Sequence, residues 1–475
     1  MGMYENDAAR LPISGGAAYF DELSRVQAEA LDYVDRSGSA ARVINVSSTG
    51  TGKTRMTRDY IDRYRGKLKN PHMTVLCPKI TRAQWAQELS KSGYDCRIVP
   101  DSKHMSEAWE GDVSILTPQL AAYRFKHDRS FRDEFQQASG LVVYDEVHSA
   151  TTRTLNKKVL DSLKFSEGLY VLSATPEWNA PRNLYAMAHT VFPFVQLPSW
   201  SDFSKRYCDI EYVVRRWVPA DGSRYETFSS ASTGAKLVRM PTVGGWLHDD
   251  SMYEFLRTLP CVVRVNNRLL PVRRHRVPVP LSADQQRMYD TMTTGDDAYF
   301  SARGGDYAVD YTITQRIRLA QICLATPMKV GVHGVEFDDE GESPKIDVIS
   351  DMQRSFHRRA LVWTTSAQFA VMLESRMSGR CRRYTGDMSK RERERAMRWF
   401  RETPDAFMVI VCAAGGVGLD GLQKVCNVQI WANRSEPLGG AQEIQCNGRL
   451  NRTGTEFKYI DDIELVAQGT FEERR

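Results

Sequence analysis

Nine cysteines are scattered along the 475 residues with no C-x-x-C pair and no Cys/His cluster, so neither a structural zinc site nor a disulfide framework is indicated. No apolar stretch is long enough to span a bilayer, and the N-terminus shows no signal-peptide pattern. A soluble, intracellular protein in a reducing compartment is the expectation. Low-complexity tracts and repeats of solenoid period are also missing. So is a strong charge: the formal net charge of +5 allows a nucleic-acid partner without arguing for one. What remains is a globular composition, 42% hydrophobic and 26% charged, in a chain too long for one core. Two or three domains are expected.

Short apolar runs at residues 73–77, 113–116, 141–144 and 169–172 alternate with helical patterns, and the alternation returns at 360–363, 407–411 and 425–430. Runs that are apolar at nearly every position suit strands buried on both faces of a parallel sheet. Between about residues 200 and 340 the pattern degrades into arginine clusters, Gly/Ser-rich pieces and a weak strand at 277–281. The expected fold is α/β, with parallel-sheet domains over 1–200 and 341–475 and an irregular, partly helical insert and linker over 201–340. The arginines of that insert read either as a wider nucleic-acid footprint or as a solvated surface. Residues 390–395 alternate in sign and read as an exposed helix with internal ion pairs.

The segment Ser47-Ser48-Thr49-Gly50-Thr51-Gly52-Lys53-Thr54 follows an apolar run and precedes eleven positions without Gly or Pro. Strand, glycine turn and helix start form a phosphate-binding loop: glycines let backbone N–H groups turn inward, and the helix N-terminus adds positive potential. Lys53 is placed to reach the β- and γ-phosphates and the Thr54 hydroxyl to ligate magnesium, with Ser47 standing where the strict pattern has Gly. Asp145-Glu146-Val147-His148 directly follows the run 141–144. An Asp-Glu pair alone is a common surface turn. At the end of a buried strand in a chain with a phosphate loop, Asp145 reads as the metal carboxylate and Glu146 as the group that takes a proton from the attacking water. Ser173-Ala174-Thr175-Pro176 follows another strand and reads either as a cap or turn or as a coupling element. In Gln445-Cys446-Asn447-Gly448-Arg449-Leu450-Asn451-Arg452 the two arginines lie three apart, which predicts one shared helix face suited to transition-state charge or simply to solvent.

Taken in order, these motifs resemble those of superfamily-2 helicases and translocases. Gln27 resembles the adenine-reading glutamine, Cys77-Pro78-Lys79 with Trp85 and Glu88 the next motif, and Leu116-Thr117-Pro118 the one after. Tyr384-Thr385-Gly386, the loop Ala414-Gly415-Gly416-Val417-Gly418-Leu419-Asp420 and the segment from Gln445 to Arg452 complete the second half. Trp85 and Glu88, Phe203-Ser204-Lys205-Arg206-Tyr207-Cys208, Ser343-Pro344-Lys345 and Gly469-Thr470-Phe471-Glu472-Glu473 look like the Swi/Snf-like branch.

The resemblance implies two RecA-like domains with ATP and Mg2+ between them. Gln27, Thr49, Gly50, Thr51, Gly52, Lys53, Thr54 and Asp420 would bind the nucleotide, and Thr54 and Asp145 the metal. Lys53, Asp145, Glu146, Gln445, Arg449 and Arg452 would carry catalysis. His148, Ser173 and Thr175 would couple hydrolysis to movement, and Lys79, Thr117, Thr364, Gly386 and Cys412 would face the nucleic acid, double-stranded DNA for this branch. Two departures stand out. Val411-Cys412-Ala413-Ala414 replaces a Ser/Thr-rich stretch, and Asp420 stands where Swi/Snf relatives often have Asn, as in strand-separating members. No chromatin-reading, zinc or nuclease module accompanies the motor motifs, which leaves targeting to the insert or a protein partner; the chain is expected to act as a monomer. The function implied is an ATP-dependent DNA translocase. A strand-separating DNA or RNA helicase and a catalytically silent nucleic-acid-binding adaptor are the alternatives.

Overall fold

The structure is a computed structural model that describes residues 2–7, 17–38, 41–147, 159–173, 181–215, 226–229, 236–248, 250–267, 270–294, 312–331, 334–337, 340–377, 379–415, 419, 421–434, 440–452 and 455–474. Contacts divide the chain into two compact units, one of Met1–Ala8 with Leu23–Asn266 and the other of Ala9–Glu22 with Asn267–Arg475. Each is built on its own parallel sheet.

The first unit holds β1 (Met3–Glu5), β2 (Arg42–Asn45), β3 (Met73–Leu76), β4 (Cys96–Ile98), β5 (Val113–Leu116), β6 (Leu141–Tyr144) and β7 (Gly168–Leu172). Next come β8 (Cys208–Arg215), β9 (Glu226–Ser229) and β10 (Lys236–Trp246), a separate antiparallel sheet ordered β8-β10-β9, and then β11 (Val262–Arg264). Among the described residues the main sheet runs β1-β11-β2-β7-β6-β3-β5-β4, parallel at every pairing. Strands β3, β5, β6 and β7 are buried at every position, as double-sided coverage demands. The chain leaves β2 through the helix Lys53–Tyr64 and re-enters at β3, beyond β7 and β6. A crossover that skips neighbours opens a crevice at the C-terminal strand ends, where α/β sheets take ligands.

The second unit contributes β12 (Val272–Val279), the hairpin β13 (Pro327–Gly331) and β14 (Gly334–Phe337), β15 (Ala360–Thr364), β16 (Cys381–Tyr384), β17 (Phe407–Val411), β18 (Val428–Trp431) and β19 (Ile460–Ala467). Its sheet runs β12-β19-β18-β15-β17-β16 and is again wholly parallel. Alternate residues feed two cores: Val362 and Val409 one face, Leu361, Trp363, Met408 and Ile410 the other.

Two tandem parallel-sheet α/β domains are therefore present, as the apolar runs require. Local boundaries differ in two places. The run at 425–430 becomes a strand only at Val428, because Gly421, with a φ of 82°, opens a 3-10 turn over Leu422–Lys424. The weak strand at 277–281 is β12, which begins earlier, at Val272. Its first residues lie on the sheet edge with exposed side chains, so hydrophobic patterning is silent there. Among the described residues no helix is long and apolar enough to cross a membrane.

Candidate nucleotide site

Register aligns the strand ends of the first unit. Asn45 pairs with Leu172, Tyr144 with Val171, and Leu76 with both Tyr144 and Leu116. The residues that follow these strands, namely the phosphate loop, Ser173, Asp145 with Glu146, the Lys79 loop and Thr117, therefore emerge along one rim. That convergence joins positions up to 126 residues apart in sequence.

Gly50 and Gly52 adopt positive φ, 75° and 71°, which lets the loop fold back before the helix starts at Lys53. Gly52 is also sterically confined: a Cβ there would lie 2.7 Å from Gln27 Nε2. Gln27 is 2% exposed and its Nε2 donates to the Thr51 carbonyl at 2.7 Å, while its Oε1 is buried and has no hydrogen-bond partner. A lone buried acceptor beside a phosphate loop suits an exocyclic amine donor such as that of adenine. Thr51 is buried and its hydroxyl donates to the Ser48 carbonyl at 2.8 Å. Lys53 Nζ donates to the carbonyls of Ser47 and Ser48, at 3.0 and 2.9 Å. Thr49 and Thr54 stand half-buried on either side of the glycine turn. Ser47, the departure from Gly, has a role in packing: its Oγ accepts from the Val265 N–H at 2.8 Å and ties the loop to the segment after β11.

Asp145 is gripped from two sides. Trp85, 1% exposed, donates its indole N–H to Oδ2 at 2.9 Å, and the Glu146 N–H donates to Oδ1 at 2.9 Å. Burial and the neighbouring Glu146 charge push the carboxyl up to about 6, opposed by the Trp85 hydrogen bond and the Lys53 ammonium. Lys53 thus lies close enough to act on Asp145. Glu146 has a φ of 51°, one of two non-glycine positive values among the described residues. Left-handed backbone at a carboxylate is strain held by its surroundings, here by the Val147 N–H donating to the Leu172 carbonyl at 3.0 Å. Ser173 is buried, its N–H donating to the Asn45 carbonyl at 3.0 Å. His148 and Thr175 lie outside the described residues, as does Asp420.

In the second unit Gln445 is buried on the helix Gly440–Leu450, and Arg449 donates from Nη1 to the Leu419 carbonyl at 2.9 Å. Arg452 does not share that helix face. The helix ends at Leu450, and Arg452 follows in a turn with its N–H on the Leu450 carbonyl. Of the residues expected to face nucleic acid, Lys79 and Gly386 are exposed, and Thr117 caps the helix Pro118–His127, accepting from the Leu120 N–H. Thr364 and Cys412 are interior. The Thr364 hydroxyl donates to Asn433 Oδ1 at 3.1 Å, and Cys412 packs with Cys446 in the core.

Two family models match the chain: the type III restriction enzyme res subunit over residues 21–178, and the helicase conserved C-terminal domain over 344–454. Between them they take in both motif clusters. The chain belongs to the superfamily-2 helicases and translocases. Families with these domains are nucleic-acid-dependent ATPases and helicases that use a nucleotide, usually with magnesium. Among solved structures, this superfamily-2 chain is similar to the Sulfolobus solfataricus SWI2/SNF2 ATPase core in complex with dsDNA, at 16% identity and a TM-score of 0.39, over 94% of this chain and 88% of that one. It is also similar to the Pyrococcus furiosus Hef helicase domain, at 14% identity and a TM-score of 0.48, over 95% and 96%. No curated protein matches.

Two contacts of this superfamily-2 site escape sequence reading. Trp85 and Asp145 are 60 residues apart, and nothing in either motif reveals that the indole N–H points at the carboxylate. Glu88, one turn further along the helix Arg82–Ser90, accepts from Arg58 on the helix Lys53–Tyr64 at 2.7 Å. One short helix thus braces both Asp145 and the helix Lys53–Tyr64.

Proposed function

We propose that the chain is an ATP-driven motor that couples hydrolysis to translocation on double-stranded DNA. The observation that carries the ATP reading is the orphaned Gln27 Oε1, buried against a loop whose glycines, Lys53 and two carboxylates converge on one rim. Gln27 would accept the adenine amine, while Lys53 would leave the Ser47 and Ser48 carbonyls for the phosphates. Thr54 and Asp145 would hold magnesium, which when bound neutralises phosphate charge. Glu146, in its strained turn, would orient and deprotonate the attacking water. Asp420 would add a nucleotide contact, and Gln445, Arg449 and Arg452 of the other unit would be required for turnover rather than for holding nucleotide.

The duplex preference is supported by the Swi/Snf-like motifs around Trp85, Phe203, Lys345 and Glu472. Contacts would go to phosphates, from Lys79, Thr117 and the Gly386 loop, with Thr364 and Cys412 shaping the rim from inside and His148, Ser173 and Thr175 relaying the nucleotide state. Asp420 favours the second reading, strand separation. ATPase rates with duplex DNA, single-stranded DNA and RNA, beside triplex-displacement and forked-duplex assays, decide between them. Stimulation by duplex with triplex displacement is the expected result. Robust unwinding without displacement, or stimulation by RNA alone, transfers the function to a helicase, and absence of turnover under every condition leaves the silent adaptor.

A further inference from the structure

The helix Lys390–Glu402 starts with a complete capping box, the Ser389 side chain on the Glu392 N–H and the Glu392 carboxylate on the Ser389 N–H. Sequence alternation predicts internal ion pairs along it; among the described residues the structure gives Lys390 to Glu394, at 3.9 Å between well-exposed groups. Arg393 is turned inward, donating to the Gly386 carbonyl at 2.6 Å and standing over the Tyr384 ring. Arg391, Arg395 and Arg398 are exposed and, among the described residues, make no ion pair within 4.0 Å. Their spacing of i, i+4 and i+7 places all three on one face, a stripe about 10 Å long at 1.5 Å per residue. The acidic neighbours sit at its margins: Glu392 closes the cap and lies near Arg395, Glu394 flanks the stripe on its Lys390 side, and Glu402 closes its C-terminal end.

Like charges at these spacings repel one another, and a glutamate at position 395 would relieve the repulsion from both sides. A merely solvated helix gains nothing from such an arrangement, whereas a polyanion cancels it. The stripe also continues from Gly386, through the capped helix start and the Arg393 bond to the Gly386 carbonyl.

We propose that Arg391, Arg395 and Arg398 form a phosphate-tracking surface that extends the nucleic-acid footprint of the second unit beyond the Gly386 loop. The partner is the backbone of duplex DNA, recognised by charge and not by base. This inference rests on the DNA reading above. Guanidinium contacts to phosphate release condensed counterions, so each one adds about 0.9 to the magnitude of the slope of log affinity against log salt for B-DNA.

The test is duplex binding by the full chain across a salt series, for wild type, for the triple variant Arg391→Gln/Arg395→Gln/Arg398→Gln and for the corresponding triple lysine variant. The glutamine variant should lower the slope by about 2.7, which is roughly a 40-fold change in its affinity ratio to wild type across a fourfold range of salt. Lysine should restore most of the slope, since it serves a phosphate as a point charge. DNA-independent ATPase and the melting temperature should stay unchanged; if the glutamine triple does not fold, single variants should each lower the slope by about 0.9. A wild-type slope retained by the glutamine variants overturns the stripe while leaving the motor intact. Wild type that binds no DNA at any salt overturns the DNA reading and the stripe together.

Discussion

Gly52 answers to two demands at once, a φ of 71° and a Gln27 amide 2.7 Å from where its Cβ would be. Gly52→Ala therefore has to give up either the loop conformation, at about 1–2 kcal/mol for left-handed backbone, or the Gln27–Thr51 bond. Nucleotide affinity measured by equilibrium binding should fall while the overall fold, read by circular dichroism, persists. Lys53→Ala and Glu146→Gln should both abolish turnover but separate in binding: the first loses phosphate affinity, whereas the second retains ATP because the amide fails only to take the proton. Near wild-type turnover by either variant would refute the site. Trp85→Phe keeps the ring and removes the N–H from Asp145 Oδ2. Losing a partner of a metal carboxylate typically costs about 10–100-fold in metal affinity or activity, so the Mg2+ requirement for turnover should rise on that scale while nucleotide affinity without metal stays level. An unchanged Mg2+ dependence would reduce Trp85 to a packing residue.

At the scale of elements, buried polar contacts set the local stability. Lys345 is 2% exposed at its side chain; its Nζ donates to the Ala432 carbonyl at 2.7 Å and to Glu472 at 2.8 Å. Lys345→Ala leaves the partly buried Glu472 carboxylate without its cation, with the Ala467 N–H as its remaining donor, so the second unit should be destabilised, measurable as a lower denaturant midpoint. His72, just before β3, is held between the Gly111 carbonyl and Ser114 Oγ, both at 2.9 Å, and burial lowers its pKa. Because the unfolded ring takes up a proton near pH 6.5 and the folded ring only below that, stability is full above about 6.5 and falls as the pH drops toward the folded value. His72→Gln should flatten that acid loss in thermal melts at pH 5.5 against 7.5.

The buried strands were legible because a parallel sheet covered on both faces leaves uninterrupted apolar runs, and the turn into the helix at Lys53 because its glycines supply the positive φ that such a turn needs. Arg452 was less so, since a three-residue spacing does not reveal that the helix stops at Leu450. Nor does a residue type announce its depth: Thr364 at the end of β15 and Cys412 just after β17 are both buried, in contact with Asn433 and Cys446 from elsewhere in the fold.

For the whole molecule, the proposed function makes its own prediction. Lys53 and Glu146 belong to one unit and Arg449 to the other. Arg449→Ala should cut the ATPase rate at saturation by orders of magnitude and leave ATP affinity far less altered, because charge spread over the transferring phosphoryl group is met only in the transition state. Loss of binding with an unchanged saturated rate would make Arg449 structural; its bond to the Leu419 carbonyl is the contact such a role would use.

The main sheet of the first unit closes late. Strand β2, which delivers the phosphate loop, is flanked on one side by β11, and β11 in turn carries β1. Until residues 262–264 have left the ribosome, β2 is an unpaired edge and Ser47 lacks the Val265 amide that anchors it. Nascent chains halted near residue 200 would therefore present a sticky, half-finished sheet, and a chaperone has the whole synthesis of the β8–β10 region in which to meet it. A fragment meant to isolate the nucleotide-binding half has its natural end after Asn266; one cut at 200 should be recovered in the insoluble fraction.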